Sequence, residues 1–424
     1  MAAVSLALAA CTDGDADGDA DDDEPRVYAT LPPASATTSG DGELFLGTLL
    51  PQTGGLRHLG PPQIADVDLA MTEINEAGGI LGQETRVAHT DSGDTASNLA
   101  VASTGALLTR GVDAIVGAAS SAVTRLVIDD VVQSGTVLIS PANTATDLTD
   151  WADDGFYFRT APPDTLQGRV VGDLVIDDGR TSVGVLALED IYGESLAENV
   201  ARTVDERGGG IAGGGPIVYD PAAPNFAAEV SEMASRRPDA ILLIGFDDSL
   251  TILAELVGQG VGPQDVPLYL VDGNLALDYT SLAAGTMNGV KATQPGSPTS
   301  AEFRQRLLGV NPDLVAFSYA GEAYDATVLL ALAATAASDD GAPALAATLV
   351  DVSTDGAKCT TFAECRDLLE DGADIDYDGI SGPIEFNEAG DPTEAAIGIY
   401  QFGADNTFTN VDFRFGRTRP DPQS

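Results

Sequence analysis

The chain has 424 residues and a formal net charge of −46, with 66 Asp and Glu against 20 Lys and Arg. A surface this acidic repels phosphate backbones and excludes nucleic acid as a partner. The longest apolar run, Val328 to Ala337, is alanine-rich, too short to cross a bilayer and bounded by Asp325 and Asp339, so membrane attachment would have to be through a lipid.

In chain order the first feature is Leu8-Ala9-Ala10-Cys11, followed at once by the acidic Thr12-Asp13-Gly14-Asp15. This order resembles a bacterial lipoprotein signal over 1–11, in which cleavage before the cysteine requires small side chains and the Cys11 thiol then carries the lipid. It implies a protein outside the cytoplasm, lipid-anchored to the outer face of the cytoplasmic membrane. Met1 to Ala10 contains no Lys or Arg, where such a leader opens with a basic region, so the true translation start is expected upstream. Residues 12–42 have no apolar period and are expected to form a disordered acidic tether, extended by its own charge. Self-repulsion on the scale of the whole chain is weaker where salt shortens the Debye length, which points to a saline habitat.

Order is expected from Glu43. Leu44 to Leu50 has the form of a buried strand, and Ile64, Val67, Met71 and Ile74 recur at helical spacing before Gly78-Gly79 ends the helix. A strand near 85–89, a helix from about 95 to 109, a strand at 113–116, a helix from Ser120 to Val132 and a strand at 136–139 follow. After Arg159 the alternation resumes, with strands near 183–188, 240–244 and 268–271 and helices near 194–206, 226–235 and 250–259. Short apolar runs alternating with amphipathic helices predict doubly wound parallel sheets, the α/β class, with ligands at the carboxyl ends of the strands. A further helical region comes next. Residues 395–402 and 408–415 alternate around Asp405-Asn406 as a hairpin. Cys359 and Cys365 are expected to form a local disulfide contributing about 2 kcal/mol, since they suit an exported chain and make a poor zinc site alone.

The loops after the predicted strands carry a resemblance. Gly47-Thr-Leu-Leu-Pro-Gln-Thr-Gly54, Ile74-Asn-Glu-Ala-Gly-Gly-Ile-Leu-Gly82 and Gly111-Val-Asp-Ala-Ile-Val-Gly117 precede Ser120-Ser121. Ile139-Ser-Pro-Ala-Asn-Thr144, Phe158-Arg-Thr-Ala-Pro162, Asp190-Ile-Tyr-Gly193, Tyr319-Ala-Gly-Glu-Ala-Tyr-Asp325 and Gly382 to Asp391 follow in order. Together, over about 43–416, they resemble the leucine/isoleucine/valine-binding protein family of type I periplasmic binding proteins.

The resemblance implies a type I periplasmic-binding-protein fold of two lobes joined by a three-segment hinge. One lobe takes 43–160 with 294–384 and the other 161–293 with 385–416, leaving 417–424 as a tail. It implies a monomer that closes on a small zwitterionic solute, an amino acid of branched-chain type, and hands it to the permease subunits of an ABC importer without a cofactor and without chemistry of its own. Residue by residue, Ser121 and Thr144 match the positions that hold the α-carboxylate, with Ser120 beside them. The Ala142 carbonyl next to Asn143 is available to the ammonium, Asp272 matches an acid that holds the ammonium, and Tyr192 and Phe246 line the pocket. The backbone N–H groups at 120–121 would face the carboxylate from a helix N-terminus, where the orphan donors and the dipole favour an anion. Leu59 stands where the family often has an aromatic residue, and Arg57 and His58 beside it either reach a polar ligand side chain or lie at the surface.

A competing motif is Asp374-Ile-Asp376-Tyr-Asp378-Gly379 with Glu385, which fits the spacing of a calcium-binding loop. Two other functions stay open: a sensor of the same fold signalling to a membrane receptor, and a binder of urea or short amides. An enzyme is not expected, since the chain contains neither Gly-x-Gly-x-x-Gly after the first strand nor a Gly-x-Ser-x-Gly elbow.

Overall fold

The computed structural model describes residues 39–418. Cys11, the signal at 1–11, nearly all of the 12–42 tether and the last six residues lie outside them.

The first half runs β1 (Phe45–Leu50), α1 (Gly60–Glu76), β2 (Arg86–Asp91), α2 (Leu99–Arg110), β3 (Ala114–Gly117), α3 (Ser121–Gln133), β4 (Val137–Ser140) and β5 (Tyr157–Arg159). Its sheet is parallel throughout, in the order β2-β1-β3-β4-β5. The chain then builds α4 (Asp164–Asp177), β6 (Ser182–Leu188), α5 (Ile191–Glu206), β7 (Gly210–Ile211), β8 (Ile217–Tyr219), α6 (Ala227–Arg236), β9 (Ala240–Ile244), α7 (Ser249–Gly258), β10 (Leu268–Leu270), α8 (Asp272–Leu275) and β11 (Lys291–Pro295). It returns to the first half for α9 (Ala301–Val310), α10 (Ala320–Ala337), α11 (Ala342–Thr348), β12 (Ala357–Cys359), α12 (Phe362–Glu370) and β13 (Ile375–Tyr377). The closing hairpin, β14 (Glu394–Phe402) and β15 (Phe408–Arg417), adds antiparallel to β11 at the edge of the second sheet.

The strand pleat explains the layers. Leu44 and Leu46 feed one apolar core while Phe45 and Leu49 feed another on the opposite face, because successive side chains point to opposite sides of a strand. Both faces must therefore be covered by helices. In α1 the residues Val67, Met71 and Ile74 are buried, and the helix starts at Gly60 with Pro61-Pro62 in its first turn, where a missing N–H costs nothing. Helix α10 is buried from Ala320 to Ala334, which accounts for the alanine-rich run. Among the described residues no helix is long and apolar enough to cross a membrane.

The chain passes between the sheets three times: between Arg159 and Asp164, between Pro295 and Ala301, and between Tyr377 and Glu394. Arg159 and Asp391 bind the first and third crossings together. Arg159 Nε lies 2.6 Å from Asp391 Oδ1 and Nη2 lies 3.0 Å from Oδ2, with both side chains almost wholly buried. Nη1 of Arg159 also donates to the Ala145 carbonyl at 2.8 Å, so the buried cation is fully engaged.

Asp376, Asp378 and Glu385 of the calcium-loop motif are paired with a lysine. Ile375–Tyr377 is a strand paired parallel with β12, in a register that sets Lys358 opposite Asp376. The ammonium of Lys358 sits among the carboxylates, 2.7 Å from Asp376, 3.0 Å from Asp378 and 3.7 Å from Glu385. Among the described residues no acidic or histidine cluster could hold a metal. Cys359 and Cys365 are joined by a disulfide that fastens β12 to α12.

Candidate ligand-binding site

The residues singled out in the sequence come from loops at the carboxyl ends of strands in both sheets. In the first sheet the order reverses between β1 and β3, so their following loops diverge and leave a crevice. Gly117, at φ +145°, lies so close to the Leu49 carbonyl that a Cβ would collide with it, and this lets the turn into α3 pack against β1. Ser120 then caps α3, its hydroxyl accepting from the Val123 N–H at 3.3 Å. Ser121 Oγ accepts from the amides of Thr144 and Ala145 at 3.4 Å each, drawing the loops after β3 and β4 together. Asn143 is committed to the scaffold: Nδ2 donates to the Ala118 and Ala119 carbonyls at 2.9 and 3.2 Å, and Oδ1 accepts from Tyr157 at 3.0 Å. Thr144 Oγ1 is buried and has no hydrogen-bond partner.

From the second half, Asp272 opens α8. Asn274 fixes that turn, accepting from the Val271 N–H at 3.0 Å and donating to the Leu243 carbonyl and Ser249, each at 3.0 Å. Asp272 is 4% exposed. Tyr319 donates to its Oδ2 at 2.6 Å, while Gln167 and Tyr192 donate to Oδ1 at 2.7 and 2.9 Å. Burial raises its pKa, and the three donors act against that rise. Tyr192 stacks on Phe246, with centroids 5.6 Å apart.

These groups come together where the two halves meet. Leu56, Leu59, Ala119, Ala142, Ala161 and Tyr319 from the first half and its crossing form an apolar cluster against which Phe246 of the second half packs. Arg57 Nη1 reaches Asp247 at 2.5 Å across the opening, and the Thr146 N–H reaches Ser195 Oγ at 3.1 Å. All nine predicted ligand-contacting residues therefore gather in a single region. His58 turns inward: both ring nitrogens are buried without a partner, and burial lowers its pKa to about 4 despite the nearby Asp247.

Sequence reasoning missed Tyr319, Gln167 and Asp164. Tyr319 opens a motif noticed for its pattern alone, and its hydroxyl acquires a role only when α10 is brought against α8. Asp164 and Gln167 lie on the buried face of α4 beside Leu166, Val170, Val171 and Leu174, and polar residues on the apolar stripe of a helix were the signal that could have found them. Burial raises the Asp164 pKa to about 7. The hydroxyls of Ser195 and Thr144 counter that rise, yet neither carboxylate oxygen has a partner in full hydrogen-bonding geometry.

Two sheets crossed three times, with polar and aromatic side chains converging at the strand ends of both, define the class of two-lobed solute-binding proteins of type I. The sequence profile of the periplasmic binding protein family matches residues 43–397. The chain belongs to that family, in its leucine/isoleucine/valine-binding branch, whose members work outside the cytoplasm. A relative in Halobacterium salinarum, the substrate-binding protein BasB of a chemotactic signal transduction system, is 28% identical over 374 residues, covering 82% of this chain and 84% of its own. Among solved structures, the branched-chain amino acid transporter substrate binding protein LivJ from Streptococcus pneumoniae, in complex with isoleucine, shares the fold with a TM-score of 0.70. It is 21% identical, covering 88% of this chain and 99% of that one. An ABC-transporter solute binding protein from R. palustris in complex with benzoate has a TM-score of 0.68 at 18% identity, covering 88% and 96%.

Proposed function

We propose that the protein is an extracytoplasmic, lipid-anchored solute-binding protein for an ABC importer. It captures a small zwitterion, an amino acid of branched-chain type, between lobes at 43–160 plus 294–384 and 161–293 plus 385–416. The observation that carries this reading is the nearness of unlike groups where the two halves meet. The Ser121 and Thr144 hydroxyls and the amide of Ser121 at the start of α3 would face a carboxylate from one side, and the buried Asp272 would offer its charge to an ammonium from the other. Leu59, Ala142 and Phe246 leave an apolar surround for an aliphatic side chain, with His58 as the neutral polar group at its edge. Arg57–Asp247 and Thr146–Ser195 would be made on closing and broken on opening.

The test is a thermal-shift panel of the common amino acids, urea, short amides and benzoate in high salt, followed by calorimetric titration of the hits. Saturable binding of an aliphatic amino acid supports the reading. Binding of benzoate or amides alone would refute it. A second reading, a sensor that docks on a membrane receptor, is favoured by the chemotactic relative. Co-purification from membranes separates the two: a permease complex supports import, a transducer complex supports sensing.

A further inference from the structure

A cavity of about 560 Å³ lies between the two halves. Tyr319 lines it, but Ser121, Thr144, Tyr192, Phe246 and Asp272 do not. The second half contributes the segment after α8 and the β14–β15 hairpin, and the first half contributes α9, the stretch before α10, and α10 itself.

Two charged side chains in its wall lack ordinary partners. Glu322 is 4% exposed, and among the described residues no hydrogen bond from another residue reaches its carboxylate. Its charged neighbours on the helix side are acids, Asp325 and Asp66. Gly296, at φ +93°, lies so near that any Cβ would strike that carboxylate, so a side chain at 296 would displace Glu322 from the cavity wall. Arg304 is exposed, and its guanidinium lies over the Phe317 ring, 5.1 Å from the centroid. Among the described residues no acid lies within ion-pair distance of it, in a chain where 66 acidic residues face 20 basic ones. Tyr400, in the same wall, is influenced by both charges. Phe317, Tyr400 and Phe408 supply aromatic surface between them.

A buried carboxyl without a cation is driven toward its neutral form, and burial raises the pKa of Glu322 to about 8, so a cation brought beside it would restore its charge. Here the depth of Glu322 and the exposure of Arg304 place a carboxyl and a guanidinium at different levels of one cavity of mixed polar and aromatic lining, whose volume falls in the range of small-molecule sites. We propose that this cavity is a second ligand site, taking a zwitterion whose ends are separated by an apolar body. The occupant's ammonium meets Glu322, its carboxylate meets Arg304, and its body lies among the aromatic rings. A dipeptide or an aromatic amino acid with a remote amine has this chemistry; an α-amino acid, with both charged groups on one carbon, has no apolar body between them.

The probe is 4-(aminomethyl)benzoate, titrated calorimetrically into the full chain in high salt, with benzylamine and 4-methylbenzoate as one-charge controls. The expected result is saturable binding of the probe, with neither control matching it. Arg304→Ala and Glu322→Gln should each weaken it by about tenfold or more, while Asp272→Asn leaves it unchanged. Arg304 is exposed, so its replacement does not put folding at risk. Absence of probe binding to the unaltered protein, equal binding by a control, or unchanged affinity in Arg304→Ala would overturn the proposal. Loss of probe binding in Asp272→Asn with retention in Arg304→Ala would place the probe in the first cleft and overturn it equally. Failure of the amino-acid reading would appear separately, as L-leucine binding that Asp272→Asn does not alter.

Discussion

Replacing Asp272 with Asn is the substitution whose consequence follows most closely from the geometry. The carboxylate is 4% exposed and accepts from Tyr319, Gln167 and Tyr192 at 2.6 to 2.9 Å. Asn keeps its shape and one acceptor oxygen, so Tyr319 can still donate to it while the Tyr192 hydroxyl turns to accept from the new amide. The new amide N–H₂ can meet Gln167, whose Oε1 has no partner in the present arrangement. The fold should therefore tolerate Asn, whereas Ala would leave three buried donors unpaired. What is lost is the charge. A desolvated, charge-assisted hydrogen bond to a ligand ammonium is worth about 1.5–3 kcal/mol. At about 1.4 kcal/mol per decade, that is a loss of roughly ten- to a hundredfold in affinity for an amino acid. Calorimetric titration of L-leucine in high salt, with the unfolding temperature of each variant as a control on folding, reads this directly. An Asp272→Asn protein that folds normally and binds within about twofold of the original would refute the assignment of Asp272 to the ammonium.

Other outcomes follow from the same structure. Asp66 is fully buried, neither of its oxygens has a partner, and burial, reinforced by Glu322 and Asp325, raises its pKa well above the usual range. The folded chain thus holds a proton that the unfolded chain releases above about pH 4, so this group makes stability fall as pH rises from there toward its folded value. Asp66→Asn should raise the melting temperature at pH 8 and change it little at pH 4; an equal shift at both would contradict the linkage. Replacing Cys359 and Cys365 with Ser should cost about 2 kcal/mol in denaturant unfolding, the entropy of a short loop, and leave L-leucine affinity unchanged. The charge of −46 predicts unfolding on dialysis into dilute buffer and refolding in molar salt, followed by circular dichroism; a stable fold at low salt would remove the argument for a saline habitat.

What the sequence disclosed, and what it concealed, follows from how local each signal is. The first two-thirds of the chain was legible because its helices are one-sided and its strands are short apolar runs: Val67, Met71 and Ile74 mark the buried face of α1, and Ala240–Ile244 is apolar throughout and buried on both faces. Helix α10 is packed on all sides and has no amphipathic period to detect. β11 was hidden for the opposite reason. Lys291-Ala-Thr-Gln-Pro295 looks polar, yet Thr293 and Gln294 are buried because Gln167 and Ser318 meet them from other elements. The same distinction runs through the site. Ser121, Thr144 and Asp272 were visible as loop residues after strands, in motifs with a family pattern. Tyr319 could not be found in this way, because its bond to Asp272 joins residues 47 positions apart. Asn143, by contrast, looked like a ligand contact and is engaged in holding its own loop.

The central claim is that one space grips both charges of an amino-acid head. Titrating L-leucine beside 4-methylpentanoate, which lacks the ammonium, and 3-methylbutylamine, which lacks the carboxylate, tests it most directly. L-leucine is predicted to bind saturably, with each truncated analogue weaker by at least about tenfold. Binding of either analogue as tight as that of L-leucine would contradict it.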